Sequence, residues 1–376
     1  MIPNLKLNPL WSRRLGCALL LAAGLQAWAS VAGADAGGLK VLARYDIPNA
    51  EVDAPTDIRW ATDESVFLAR SDNGVHEVAL TRPLQKLRNL VPDTLTLKGP
   101  NNYRSLAASS RFLAVAAVGR RIAWRPVGLQ KTGAVGLYVQ PVNTPIDIDL
   151  AGDRILILGD GRDKVGEDKN GGIAFLGKVS ATGFKEYRPV LMDPLGANTP
   201  SLLNCSPYRM GSARFLPDGS FIVVPGFRPG AHLFARDGRL LHTWSAQETG
   251  LSTDCARLTK EQSDILWGES GLAAINAWMQ KERILDDVLP LAEGPGLLVR
   301  SATADGGTAW ELRILRTSGE ATVYKLPVTG GPEDRLTGDV RGSRIVLLRS
   351  SWHHFGQAPR TAEILVLGRT GVEAAR

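Results

Sequence analysis

The chain has 376 residues, of which 44% are hydrophobic, and its 44 basic and 38 acidic residues give a formal net charge of +6. This length would often split into two domains and is ample for a large core. The weak positive charge, without a clustered Lys/Arg tract interleaved with aromatic residues, argues against nucleic-acid binding. Beyond the N-terminal region, no stretch is long and apolar enough to span a bilayer.

Residues 1–36 have the pattern of a secretory signal peptide. Basic residues among the first 14 precede an apolar run at 15–29, and Ala-x-Ala triplets at 27–29 and 32–34 suit cleavage. We therefore expect export to the periplasm or the extracellular space, with no membrane span left after cleavage. An uncleaved anchor is the alternative.

The rest of the chain contains six similar units of roughly 40–50 residues, each with short apolar strands separated by polar turns. The clearest has strands at 212–216, 220–225, 231–235 and 239–244, and its Asp-Gly turns are a strong hairpin signal. In chain order, the six units are Pro55–Leu80, Arg104–Val127, Thr144–Val190, Gly211–Trp244, Leu289–Pro327 and Arg335–Gly368.

Such a repeat predicts an all-β fold, a six-bladed β-propeller, because one meander cannot bury both of its faces alone. The last unit lacks a fourth strand, and the run Lys40–Ile47 stands before the first unit. We expect this N-terminal strand to complete the last blade and close the ring, which would remove the open sheet edges.

The sequences Leu216-Pro217-Asp218-Gly219 and Arg236-Asp237-Gly238-Arg239, together with the blade pattern, resemble six-bladed propellers of the NHL and TolB-like kind. The resemblance covers nearly all of residues 37–376, which we assign to one propeller domain after the leader at 1–36. Propellers of this kind include hydrolases, lyases, receptors and scaffolds, so the fold alone does not give the activity.

Residues 245–288 do not fit the repeat and separate the fourth unit from the fifth. Thr259–Asp287 has apolar residues at helical spacing, and Gly268 and Gly271 would divide it into two helices. We expect a helical insert on the top face, which we define as the face where each inner strand begins. It would be a lid beside the channel mouth or, alternatively, a decoration packed on the rim.

Cys205 and Cys255 remain after removal of the leader, which contains Cys17. An isolated pair usually bonds in an oxidising compartment, and these two lie in the connections that enter and leave the fourth blade on the top face. We expect a disulfide that closes about 50 residues and contributes roughly 3–4 kcal/mol. Two free buried thiols are the alternative.

Polar connections to the top face supply the candidate ligand-binding residues. A Tyr-Arg pair occurs in two of these connections, and guanidinium groups bind carboxylate or phosphate in a bidentate manner. The alternative is that each arginine pairs with an aspartate of the neighbouring blade and holds the ring together. The candidates are Asp57, Tyr103, Arg104, Tyr208, Arg209, Arg335 and His354.

Six-bladed lactonases and calcium-dependent esterases are also similar in fold. The resemblance implies a metal-binding Glu ahead of the first inner strand; here Asp53 stands at that place, and Asn143 is a possible second ligand. No matching Asn-Asp partner follows. We therefore expect no cofactor, with Ca²⁺ as the alternative.

No G-x-S-x-G, Walker or dinucleotide-binding sequence occurs in a suitable context. Beside the long polar loops, this absence favours binding over catalysis. We predict a secreted or periplasmic propeller that binds a small ligand or an envelope protein at the top face of its central channel. The alternative is a metal-assisted hydrolase or lyase, similar to a lactonase or esterase, acting through Asp53, Asn143 or His354. A structural subunit of an envelope complex is a third possibility.

Overall fold

The computed structural model describes residues 38–47, 55–70, 74–91, 103–117, 121–127, 135–138, 144–160, 172–180, 183–192, 211–225, 230–252, 277, 280–351 and 362–369. The chain divides into the units Met1–Ala36 and Gly37–Arg376, and every described strand belongs to the second. Among the described residues, no helix is long and apolar enough to cross a membrane.

The strands form four-stranded antiparallel sheets, which we number as blades 1 to 6 in chain order. Blade 1 contains β2 (Pro55–Trp60), β3 (Ser65–Arg70), β4 (Gly74–Ala79) and β5 (Gln85–Val91). Blade 2 contains β6 (Tyr103–Ala108), β7 (Phe112–Ala117), β8 (Arg121–Pro126) and β9 (Val135–Tyr138). Blade 3 contains β10 (Thr144–Ala151), β11 (Arg154–Asp160), β12 (Gly172–Ser180) and β13 (Gly183–Met192).

The second half of the ring repeats this arrangement. Blade 4 contains β14 (Gly211–Phe215), β15 (Phe221–Pro225), β16 (Ala231–Phe234) and β17 (Leu240–Trp244). Blade 5 contains β18 (Ile284–Leu291), β19 (Gly294–Ala302), β20 (Thr308–Arg316) and β21 (Gly319–Gly330). Blade 6 contains β22 (Asp334–Arg341), β23 (Arg344–Ser351), β24 (Ala362–Arg369) and the N-terminal β1 (Leu39–Asp46).

The outermost strand of blade 6 comes from the other end of the chain. β1 runs antiparallel to β24, with Leu39 opposite Arg369 and Asp46 opposite Glu363. Its backbone therefore occupies the edge that β24 would otherwise expose.

The inner strands β2, β6, β10, β14, β18 and β22 lie side by side in cyclic order, so the sheets form a ring. Apolar side chains fill the spaces between adjacent blades; Trp124 of blade 2, for example, packs with Ile148 and Phe175 of blade 3. The prediction of an all-β six-bladed propeller is confirmed.

In blade 4 the predicted strand limits agree with the structure to within one residue. The two Asp-Gly turns account for this, because Gly219 and Gly238 adopt φ values of 83° and 86°. Only glycine reaches this left-handed region without strain, so the turns fix where each strand ends.

The predicted helical insert is not confirmed, and the helix prediction for its last residues is wrong. Ile284–Asp287 belong to β18, and the described start of the insert is one turn of helix, α1 (Ala246–Thr249). β18 is buried on both faces, but Asp286 and Asp287 interrupt the continuous apolar run that normally marks such a strand, so its spacing did not distinguish it from the end of a helix. Residues 253–276, which contain most of the predicted helices, lie outside the described residues.

We predict that a chain starting at Pro48 will be far less stable than one starting at Gly37. The shorter chain lacks β1 and exposes the edge of β24 together with the apolar residues beneath it. Size-exclusion chromatography and thermal unfolding should show association or a lost cooperative transition for the shorter chain alone. Equal behaviour of the two chains would contradict this role of β1.

Candidate functional site

The same irregularity recurs near the start of four inner strands. A β-bulge inserts one residue and re-aims the side chain that follows it. In each of these strands, the residue after the bulge is Asp or Ser. The register shifts fall between Pro55 and Asp57, Tyr103 and Ser105, Pro145 and Asp147, and Leu285 and Asp287.

One buried polar residue from each inner strand forms what we call the first layer of the hub. Each has a carboxyl or hydroxyl group, and none exposes more than 5% of its surface. Four of them accept a hydrogen bond from a backbone N–H of the next blade, which ties neighbouring blades together. The first layer consists of Asp57, Ser105, Asp147, Ser212, Asp287 and Thr337.

The second layer of the hub lies two residues further along each inner strand. Asp149 accepts from Phe215 N at 2.7 Å, and Asp339 accepts from Trp60 N at 2.9 Å, so these residues also join adjacent blades. From blade 1 to blade 3 the second-layer residues are an arginine, an apolar residue and an aspartate, and blades 4 to 6 repeat this order. The second layer consists of Arg59, Ala107, Asp149, Arg214, Leu289 and Asp339.

Arg214 joins three blades. Its Nη1 lies 2.6 Å from Asp147 Oδ2 of blade 3, and its Nη2 lies 2.7 Å from Asp287 Oδ1 of blade 5. Ser212 Oγ lies 2.8 Å and 2.9 Å from the same two oxygens. Because a hydroxyl has one proton, Ser212 donates to one carboxylate at a time.

Arg59 occupies the equivalent position in blade 1. Its Nη1 donates to the carbonyl of Ile58 at 2.7 Å and to that of Gly338 in blade 6 at 3.2 Å. Arg214 Nη1 makes the corresponding contacts with its own blade and the preceding one, at 3.0 and 3.4 Å. The carboxylate partner of Arg59 is Asp57 of its own blade, at 2.7 Å.

Burial and ion pairing shift the pKa values of the hub carboxyl groups in opposite directions. Burial raises the pKa of Asp149 to about 6, and it also raises that of Asp57 to about 6 against the opposing effect of Arg59. Burial similarly raises the pKa of Asp339. For Asp147 burial acts in the same sense, but Arg214 and Arg59 outweigh it and lower the pKa to about 2. The hub therefore contains both firmly ionised carboxylates and carboxyl groups that hold a proton in mild acid.

Asp57, a predicted ligand residue, lies in the hub. One of its oxygens accepts from Ile58 N and Arg59, and the other accepts from Leu106 N at 2.7 Å. Both oxygens are thus used within the protein. Whether Asp57 also contacts a ligand stays a prediction.

Arg335 lies at the start of β22 and contacts the preceding blade. Its Nη2 donates to the backbone carbonyl of Asp286 in blade 5 at 3.0 Å. The Asp286 carboxylate in turn accepts from Trp310 Nε1 at 2.6 Å and from Leu336 N at 3.0 Å. The bonds from Arg335 and Leu336 connect blades 6 and 5, in line with the alternative role considered for the arginines.

The other predicted site residues cannot be placed. The backbones of Tyr103 and Arg104 belong to β6, but their side chains lie outside what the structure describes. Wholly outside the described residues are Asp53, Asn143, Cys205, Tyr208, Arg209, Cys255 and His354. Within the described part of the chain, no group of three or more His, Cys, Asp or Glu residues is arranged to hold a metal.

A groove of about 550 Å³ lies at the rim, between β1 and the connection from β4 to β5. Arg82 lies 5.8 Å from the ring centroid of Tyr45 and donates to the carbonyl of Arg44 at 3.3 Å. Its walls come from an outermost strand and a turn, whereas the hub consists of inner-strand residues, so the groove and the hub are separate.

The hub was missed by sequence reasoning, although a signal for it exists. Polar residues alternate with an apolar one in Asp57-Ile58-Arg59, Asp147-Ile148-Asp149 and Ser212-Ala213-Arg214. A fully buried strand normally reads as a continuous apolar run. Charged residues recurring at the same place in successive inner strands thus indicate a buried polar centre.

We predict that replacing Arg214 by Met will lower the free energy of unfolding by about 3–5 kcal/mol, because two buried carboxylates lose their cation. Arg341→Met is the matched control: Arg341 pairs with the exposed Asp63 at 2.6 Å, and such surface pairs contribute up to about 1 kcal/mol. Urea unfolding measures both variants. Similar losses in the two would contradict a central role for Arg214.

A second prediction concerns pH. Asp149 binds its proton more tightly in the folded protein, with a pKa of about 6, than in the unfolded chain, with 3.8. Unfolding therefore releases this proton between those values, and the stabilisation from protonated Asp149 is lost as the pH rises through about 6. The difference in unfolding free energy between wild type and Asp149→Asn should fall by about 3 kcal/mol across this window. A constant difference from acid to neutral pH would contradict the assignment.

No protein-family model matches the chain, and no curated protein matches it significantly. Among solved structures, a member of the DUF4221 family from Bacteroides vulgatus is 10% identical, covers 88% of this chain and 98% of its own, and gives a TM-score of 0.52. A streptogramin B lyase is 12% identical over 89% of this chain and 98% of its own, with a TM-score of 0.43. Virginiamycin B lyase from Staphylococcus aureus is 12% identical over 88% of this chain and 99% of its own, and also gives a TM-score of 0.43. At such identities the likeness concerns the fold alone. The sheet order gives this chain the six-bladed β-propeller fold, and no specific family is assigned to it.

Proposed function

We propose that the protein is an exported β-propeller that binds a ligand or a protein partner through its top face. The observation that carries this proposal is the difference between the two ends of the ring. Inner strands begin, and second strands end, at the top face, whereas the opposite face holds the turns between first and second strands.

The connections at the two ends differ in length. On the opposite face, turns such as 152–153, 292–293 and 342–343 join successive strands directly. The segments 92–102, 193–210 and 352–361 are longer, and the strands that they join meet them at the top face. Long connections held by a rigid scaffold are where binding residues concentrate, so this face supports recognition better than the other.

The hub supports the same assignment from inside the ring. Its carboxylates are used to join blades, by bonds such as that from Leu106 N to Asp57 and from Gly338 N to Asp287. Groups that hold the ring together are poor candidates for a reaction centre that must change its contacts. Recognition would therefore fall to residues at or beyond the upper ends of the inner strands.

The candidate residues at that level come from several blades. Arg335 stands at the start of β22, and the backbone of Arg104 at the start of β6. Two arginines at the upper ends of inner strands would favour a ligand or partner with carboxylate or phosphate groups. The remaining candidates, Tyr208, Arg209 and His354, belong to connections that join strands at the same end.

We predict that Arg104→Ala, Tyr208→Ala and Arg209→Ala will each weaken capture of a partner from envelope extract, because they remove contacts at the top face. Arg154→Ala serves as the control, since Arg154 bonds to the carbonyls of Gly219 and Arg236 on the opposite face. Quantitative pull-down with chemical crosslinking measures each variant. Capture that survives all three changes but is lost in the control would overturn the choice of face.

Export, a Cys205–Cys255 disulfide and closure of the ring by β1 belong to the same proposal. Thiol labelling of the unfolded, unreduced protein would distinguish a disulfide from free thiols. Native mass spectrometry with elemental analysis would test the enzymatic alternative: a stoichiometric divalent cation that Asp53→Ala abolishes would favour a metal-assisted hydrolase or lyase over a binding protein.

A further inference from the structure

Arg59 has two nitrogens without a hydrogen-bond partner among the residues that the structure describes. They are Nε and Nη2, and the side chain as a whole is only 3% exposed. Thr337 Oγ1 likewise has no partner within the described chain, and Thr337 is 5% exposed. Buried donors of this kind are costly unless an acceptor satisfies them.

These donors belong to residues on β22 and β2, the two inner strands that meet at the junction of blades 6 and 1. Arg59 Nη1 reaches the carbonyl of Gly338, the residue after Thr337, at 3.2 Å. Four first-layer side chains accept from a backbone N–H of the next blade, as Asp287 does from Gly338 N at 3.0 Å. Thr337 occupies the same first-layer position on β22, and β22 lies beside β2, which carries Arg59.

The other half of the ring shows what the equivalent guanidinium binds. The first-layer residues of the blades flanking Arg214 are Asp147 and Asp287, and Arg214 pairs with both. The corresponding residues around Arg59 are Thr337 and Ser105, which have hydroxyl groups instead of carboxylates. A guanidinium in this position therefore accommodates two negative groups, and the described part of the chain supplies Arg59 with one carboxylate contact, from Asp57.

The unpartnered nitrogens define the chemistry of the missing acceptor. In a planar guanidinium, the Nε–H and one Nη2–H lie parallel along one edge, which suits a carboxylate or a single anion. We propose that a small inorganic anion, of the size of chloride, binds between this edge of Arg59 and the hydroxyl of Thr337. It would complete for Arg59 the pairing that Asp147 and Asp287 provide for Arg214.

The carboxylates of the hub oppose an added negative charge. Asp57, Asp147, Asp149, Asp287 and Asp339 outnumber the two arginines when all are ionised. Asp57 and Asp149 hold protons below about pH 6, which reduces this excess. The anion is therefore best sought at about pH 5, where fewer ionised carboxylates compete with it.

The test compares the residues 37–376 chain in sodium chloride and in sodium gluconate of equal ionic strength at about pH 5, since gluconate is much larger than the chloride-sized anion proposed. Binding to the folded state alone raises the unfolding midpoint by mass action, so chloride should raise it by several degrees. Thr337→Asp supplies a carboxylate from the chain itself, as blades 1, 3 and 5 do. This variant should unfold at a high temperature in either salt and lose the chloride dependence.

Two further variants make the outcome decisive. Thr329→Asp makes the same chemical change on an exposed outer strand and should keep the full chloride shift. Thr337→Val removes one donor while preserving shape and should reduce the shift; it replaces Thr337→Asp if that variant does not fold. In crystals grown with bromide, an anomalous peak beside Arg59 and Thr337 would locate the ion.

The proposal fails if chloride has no effect on the wild type, which would mean that water satisfies these donors. It also fails if Thr337→Asp, or Thr337→Val in its place, keeps the full chloride shift, because the effect would then arise elsewhere. Neither result would bear on the binding role proposed for the top face, since these changes lie inside the ring.

Discussion

The ring depends on one contact: a carboxyl or hydroxyl group of one inner strand accepts a hydrogen bond from the backbone N–H of the next. Leu106 N donates to Asp57, Ile148 N to Ser105, and Trp60 N to Asp339 across the junction of blades 6 and 1. Each such contact joins blades that are separate sheets. Because the inner strands have no sheet partner on the channel side, these bonds and the apolar contacts fix their mutual positions.

Arginine makes this arrangement possible at two opposite blades. The five aspartates of the hub would be costly without cations, and Arg214 compensates two of them with contacts of 2.6 and 2.7 Å. Arg59 compensates one aspartate, Asp57. The centre is thus built from two similar halves with unequal charge, and this inequality is where an external anion would act.

The bonds that stabilise the ring are separated in space from the face at which we propose recognition. The outer parts of the blades are held by bonds to backbone carbonyls, such as Trp124 Nε1 to Ser180 and Trp244 Nε1 to Arg316, both at 3.0 Å. The hub fixes the inner edge. The connections at the top face can then vary without disturbing the ring, as expected for a scaffold that presents binding loops.

The fold was predictable from the sequence because strand limits follow from local chemistry: Asp-Gly turns place glycine where φ is positive, and the repeat of such hairpins implies a propeller. The run Lys40–Ile47 before the first unit likewise predicted the strand β1. The first residues of β18, Ile284–Asp287, were misassigned to a helix because Asp286 and Asp287 interrupt the apolar run that normally marks a buried strand. Only the tertiary structure could show which hub residues pair, since the partners of Asp57, Asp147 and Arg214 lie in other blades, roughly 50–75 residues away along the chain. The sequence by itself determined where most strands and turns lie; the arrangement of the blades in a ring decided which buried charges meet, because pairing across blades depends on register and bulges that no local pattern specifies.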